Sequence, residues 1–401
     1  MKKIIAISVM FALIAGAVFA DTSIGGSVET RFQLAKQVGG EDDDPVMAGQ
    51  VAAAQIVLTG SNTEGTLGGK FRFRNTNGFN DGGATLGEPF YDQVYVWWKP
   101  VDQVKIFLGI DQDGLFGTDD FLGWGFHAGD NDYIFNHCWD FWRQIFPGNW
   151  DGFGLAFSFY PIPGLDINLV LPSGAVNWRQ GPKSKVENVR PISDPDSDSK
   201  NAGMLPGNLR FTANYSLDFG KISLVYLGGG QAAEKGPAWL GYGAGAIDPD
   251  NNGLFGLSAL ITAIEGIQIK VGGSVVLNTD SDMLINAGLG VVYNGDGFGV
   301  KFRAGLFTQG EREMFLTANI MPFFAVGENG QVLIDIGITN DGEADPALGW
   351  SVTPAYRLGI DGGAFKIGLQ VYNNVNSGGN IGISGADYVK WNIPMLLAFN
   401  F

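Results

Sequence analysis

The final segment of the chain alternates strictly. Trp391, Ile393, Met395, Leu397, Phe399 and Phe401 fall on one face, and Lys390, Asn392, Pro394, Leu396, Ala398 and Asn400 on the other. A period of two belongs to β-strands. Segments of about ten residues with this alternation, separated by turn residues, recur along the chain. Some present one face that is apolar throughout, as Phe153, Leu155, Phe157 and Phe159 do, or nearly so, as Ile267, Ile269, Val271, Val275 and Leu277 do. A soluble β-sandwich or β-solenoid has no use for so many apolar outward faces.

The other hydrophobic feature is at the start. Lys2 and Lys3 precede an apolar run from Ile4 to Val18, and Val18-Phe19-Ala20 reads as a cleavage site before Asp21. The run is short for a membrane anchor, which needs about 20 apolar residues. The expectation is a cleaved export leader at 1–20 and one domain over 21–401. After Asp21 the best apolar run, Leu254 to Ile264, is broken by Glu265 and Gly266. Only helices and closed barrels satisfy every backbone group in lipid, so a membrane reading of the mature chain requires a barrel.

An alternating final strand that ends in an aromatic, behind an export leader, resembles the closing strand of bacterial outer-membrane β-barrel proteins of the porin type. The resemblance is to that broad class, and no named family is assigned. It implies an outer-membrane location, contact with outer-membrane lipid, and recognition of the Trp391–Phe401 face by the barrel-assembly machinery. A homotrimer enters by the same resemblance.

The pattern predicts an all-β, closed antiparallel barrel of eighteen strands, or sixteen if an early hairpin is misread. The first strand is placed near 24–34, the last near 389–401, and one unbroken strand at 364–373. Tight connections such as Lys99–Asp102, Pro161–Gly164, Glu265-Gly266 and Asn294–Gly297 alternate with longer ones. Long loops are expected near 111–151, 172–207 and 229–252. No plug-sized segment lies between Asp21 and the first predicted strand, which argues against a plugged transporter. A barrel of this size without a plug is wide enough for an aqueous channel.

Alternation also sorts the charges. The chain carries 41 acidic and 25 basic side chains, a formal charge of −16. Loss of the leader's two lysines makes it −18, from 23 − 41. That balance excludes a general nucleic-acid binder. Charge on a lipid face is costly, so strand charges should face inward. The inward basic set is Arg31, Lys70, Arg72, Arg74, Lys105, Arg210, Lys221, Lys270, Lys301, Arg303, Arg357, Lys366 and Lys390. The inward acidic set is Glu29, Asp166 and Asp335. Lys70, Arg72 and Arg74 form the sharpest ladder, three cations on one face at steps of about 6.6 Å. Such a wall attracts anions, unless loop carboxylates offset it. The expected cargo is small hydrophilic solutes, with a preference for anions or sugars left open.

Segment 111–151 is the third outer connection by this count, and it is rich in aromatics. The third loop of general and sugar-specific porins folds into the lumen, and this one resembles it in position. Asp111, Asp113, Asp119, Asp120, Asp130 and Asp132 would then oppose the basic wall; the alternative is a lid over the rim. Tyr91, Tyr95, Trp97 and Phe107 read either as an inward aromatic track or as the interfacial girdle, and the girdle is preferred.

No cofactor is expected. One cysteine and two histidines make a zinc site improbable. Asp248-Pro249-Asp250-Asn251-Asn252-Gly253 matches the first half of an EF-hand loop, but Ala259 stands where Glu is required. Solvated loops are favoured over calcium sites there. No nucleophile elbow, zinc-protease or P-loop motif is present, so the reading is not an enzyme. The chief alternative to a pore is a closed barrel acting as a surface adhesin, antigen or structural protein.

Overall fold

The computed structural model describes residues 21–36, 46–78, 90–111, 153–172, 209–228, 253–277, 283–310, 314–340, 348–373 and 389–401. The expected leader at 1–20 lies outside them. The strands are β1 (Asp21–Lys36), β2 (Val46–Ser61), β3 (Leu67–Gly78), β4 (Phe90–Val101), β5 (Val104–Asp111), β6 (Phe153–Ile162), β7 (Leu165–Pro172), β8 (Arg210–Leu217), β9 (Gly220–Gly228), β10 (Gly253–Ile264), β11 (Ile267–Leu277), β12 (Leu284–Asn294), β13 (Phe298–Gln309), β14 (Phe315–Val326), β15 (Gly330–Asn340), β16 (Leu348–Ile360), β17 (Gly363–Gly368), β18 (Gln370–Asn373) and β19 (Val389–Asn400). Apart from β17 and β18, each pairs antiparallel with its sequence neighbour, and β1 pairs with both β2 and β19, which closes the sheet into a barrel.

β17 and β18 are two pieces of one stave. Both pair with β16 on one side and β19 on the other. The barrel therefore has the eighteen staves expected from the alternation, and the predicted strand 364–373 is interrupted at Leu369. The interruption has a covalent cause. Pro354 on β16 and Pro394 on β19 flank it, and proline has no N–H for the ladder. Leu369 N–H still donates to Pro354 O at 3.0 Å, but Pro354 returns nothing. Pro322 leaves a similar gap between β14 and β15, where pairing skips from Ile320↔Ile336 to Phe323↔Leu333.

The tight connections all lie at one rim, as an up-and-down barrel requires. One of them is Asn62–Thr66, where the Asn62 carboxamide oxygen accepts the Thr66 N–H at 2.8 Å and the Leu67 N–H at 3.0 Å. Lys99 and Asp102 form an ion pair of 2.8 Å across the β4–β5 turn. That hydrogen bond and the lysine's charge hold the Asp102 carboxyl below its usual pKa. At the β10–β11 turn Gly266 has φ of +73°, and a Cβ there would stand 2.7 Å from Asn294 O. Only glycine fits that approach.

Burial follows the period of two, with polarity inverted from a soluble protein. On β15, Val332, Ile334, Ile336 and Ile338 are exposed on the outer face, while Leu333, Asp335 and Thr339 are buried on the inner one. On β14, Leu316, Ile320 and Phe324 are exposed, and Thr317 and Asn319 are buried. The closing strand behaves as expected. Leu397, Phe399 and Phe401 are exposed, and Asn392 and Leu396 are buried. Trp391, Ile393 and Met395 continue the outer face and are half-buried.

The last residue is fixed at the seam. Gly26 N–H donates to Phe401 O at 2.9 Å, and Phe401 N–H donates to Gly26 O at 3.0 Å. The Phe401 ring lies over Gly26, so a Cβ at residue 26 would come within 2.5 Å of the ring and 2.4 Å of Gln55 O. Gly26→Val should therefore destabilise the barrel by about 1–3 kcal/mol, the usual cost of overpacking, read from the urea midpoint in vesicles. Unchanged stability would show that the seam tolerates a side chain there. Ile336→Lys on the outer face should cost about 2–4 kcal/mol in the same assay.

Candidate functional site: the inner wall

The inner face carries the polar side chains that the outer face excludes. Asn168 donates to Thr212 at 3.2 Å and to Asp166 at 3.1 Å, and Asn214 donates to Asp166 at 2.8 Å. Asn286 donates to Ser274 at 2.9 Å, and Asn319 donates to Asp335. Apart from the Asn168–Asp166 contact within β7, these links run between neighbouring strands.

Lys70, Arg72, Lys105, Lys221, Lys270, Lys301, Arg303, Arg357, Lys366 and Lys390 share the parity of the buried inner positions. Asp166 and Asp335 share it as well, with Asp21 at the rim. All of these cations except Lys390 stand near the short-turn rim. Arg72 and Arg303 are the farthest in, five residues beyond Leu67 and Phe298 respectively. At about 3.3 Å per residue and a tilt near 40°, the belt occupies about 13 Å of the barrel's height.

Register brings cations together that sequence spacing alone does not. Arg357 is directly opposite Lys366, with Gln331 on one side and Leu396 on the other. Lys270 and Arg303 both pair with Gly290, so a bare glycine separates two cationic strands. Like charges directly opposite one another are unfavourable in a sheet, so the sheet alone gains nothing from this clustering.

Several expected site residues fall outside the description. Arg31, Arg74 and Arg210 lie on described strands, but their side chains are outside the described residues, as is that of Glu29. Asp111 closes β5 opposite Gln93. Asp113, Asp119, Asp120, Asp130 and Asp132 lie outside the described residues, as do the loops considered for calcium. Among the described residues no group of His, Cys, Asp and Glu is arranged to hold a metal ion.

The aromatic residues of β4 and β5 overturn one expectation. Tyr95 and Phe107 are 8% and 3% exposed on the inner face, and Trp97 is partly buried beside them. Val94, Val96 and Trp98 take the outer face. The girdle preferred from sequence is thus an inward cluster at Tyr95, Trp97 and Phe107. Sequence could not decide, because Val-Tyr-Val-Trp-Trp is apolar on both parities. Register with Lys105 supplies the missing information. Its Nζ is 4.7 Å from the Trp97 ring centre and 4.8 Å from that of Phe107. Ala156 and Val170 extend the apolar cluster across β6 and β7. A second one, Met321, Phe323, Leu333 and Ala355, lies on the inner face of β14 to β16 and was not foreseen.

No family model and no curated protein matches the chain. Solved structures do. Acinetobacter baumannii OccAB4 aligns with a TM-score of 0.55 at 7% identity, over 96% of this chain and 98% of that one. Salmonella typhi OmpF, solved with daunomycin, gives 0.50 at 10% identity, over 95% and 97%. A Rhodopseudomonas blastica porin mutant gives 0.47 at 12% identity, over 95% and 100%. At these identities the likeness is one of fold: the chain has the closed antiparallel barrel found in porins and outer-membrane proteins.

The Lys105 contact is itself testable. A double-mutant cycle of Lys105→Gln with Trp97→Leu should give a coupling of about 0.5–2 kcal/mol in urea unfolding, the range for a cation over an aromatic face. Zero coupling would remove the interaction from the account.

Proposed function

We propose that the protein is an outer-membrane porin, a passive channel for small hydrophilic solutes rather than an enzyme. The observation that carries this reading is the inverted polarity of the barrel: an apolar outer face around an inner wall of amides, hydroxyls and cations. Eighteen staves without a plug among the described residues leave room for water. The basic belt favours anions. Export by the 1–20 leader, insertion by the barrel-assembly machinery and trimer formation belong to the same proposal.

Segment 111–151 is proposed to fold inward and narrow the pore. The apolar patch of Tyr95, Phe107, Ala156 and Val170 supports this. It lies on the inner face of β4 to β7, and the segment joins the middle two of these strands. Aromatic side chains from the segment would find an apolar seat there, and its aspartates would find the cations. The competing reading is a closed barrel with an adhesive surface, and the apolar clusters inside the lumen are the observation in its favour.

Two variants separate these readings in planar bilayers. Deleting 115–148 should raise single-channel conductance if the segment constricts the pore; unchanged conductance contradicts the inward loop. Neutralising Lys70, Arg72 and Arg74 together, each to Gln, should move the reversal potential in a salt gradient toward cation preference. An unmoved potential would take the ladder out of the conducting path.

A further inference from the structure

The proline-flanked break in the stave of β17 and β18 coincides with a group of buried polar side chains. Thr353 and Gln370 are 0% exposed and Asn392 is 1% exposed. Gln370 is directly opposite Asn392. Thr353 is bracketed by the Val352↔Val371 pair and the Leu369-to-Pro354 hydrogen bond, which puts it opposite Gln370 on the other side. Three adjacent staves thus present a hydroxyl and two carboxamides in one row of the inner wall. Neither side-chain atom of Gln370 has a hydrogen-bond partner among the described residues, and nor do Thr353 Oγ1 and Asn392 Oδ1. Buried polar atoms without partners are costly and rare in native folds. Single side-chain atoms without partners occur elsewhere on this wall, as at Asn286 Oδ1 and Asn214 Oδ1, but those residues donate through their amide nitrogens, whereas Gln370 has neither atom partnered and stands between Thr353 and Asn392.

The next row on the same face completes the chemistry. Ser351 pairs with Tyr372, and Tyr372 pairs with Lys390. The two rows set an amide and hydroxyl surface beside an aromatic ring and an ammonium group. Gln370 offers both a donor and an acceptor, Thr353 offers both, and Asn392 offers an acceptor. A sugar hydroxyl also donates and accepts, so a polyol can satisfy all of them together. An ammonium one step away suits an anionic group on the same molecule.

We propose that Thr353, Gln370 and Asn392, with Ser351, Tyr372 and Lys390, form a solute subsite for polyhydroxylated anions such as sugar acids. This deepens the pore reading and rests on it for access to the site.

The test is block of chloride current in planar bilayers by gluconate, with sorbitol carrying only the hydroxyls and acetate only the charge. Gluconate should half-block at a concentration at least ten-fold below either control. Gln370→Leu should abolish that advantage, and heat-modifiable migration on gels checks that the variant is folded. Thr353→Val serves as the second variant and should weaken gluconate block several-fold. Equal block by gluconate and acetate, or full gluconate block in folded Gln370→Leu, would overturn the subsite and leave water as the only occupant. Calorimetry of gluconate with detergent-folded protein keeps the two proposals apart. Binding without any conductance would refute the pore and retain the site, whereas conductance without preferential binding would refute the site and retain the pore.

Discussion

Every backbone donor and acceptor in a lipid-embedded sheet must find its partner within the sheet, because hydrocarbon offers none. The pairing of β1 with β19 meets that demand, and the rest of the structure follows from it. Without the seam, β1 and β19 would present open edges. With it, each stave has two neighbours, and the period of two divides all side chains between an inside and an outside. The reciprocal hydrogen bonds of Gly26 and Phe401 place the last residue at this junction. The exchange needs glycine at residue 26, because the aromatic ring occupies the space of a side chain there.

Closure also fixes where charge can go. The chain is strongly acidic in total, yet ten of the described cations share the parity of the buried inner positions. Cations drawn from β3, β5, β9, β11, β13, β16 and β17 share one band near the short-turn rim. Pairs such as Arg357 and Lys366, or Lys270 and Arg303 across Gly290, arise from the register of neighbouring strands.

Much of the fold was legible in the sequence, because inward and outward positions differ chemically on most strands. Thr317 and Asn319 beside Leu316 and Ile320 leave no ambiguity. The reading became uncertain wherever both parities were apolar. Tyr95 and Trp97 could not be assigned from β4 alone, whereas the inward position of Met321 and Phe323 follows only from the parity that Thr317 and Asn319 set on β14. The eighteen staves were countable, but the break at Leu369 was not. Its cause lies in Pro354 and Pro394, which are distant in sequence and become neighbours only through pairing. The polar row at Thr353, Gln370 and Asn392 was hidden for the same reason. Each residue is ordinary on its own strand, and the site exists only across three of them.

The most direct test of the account is the reversal potential of the unmodified protein in a planar bilayer under a ten-fold potassium chloride gradient. A water-filled barrel with a basic inner belt predicts stable conductance and a reversal potential displaced toward the chloride equilibrium value. Failure to conduct at any voltage, or reversal at the potassium equilibrium value, would contradict it.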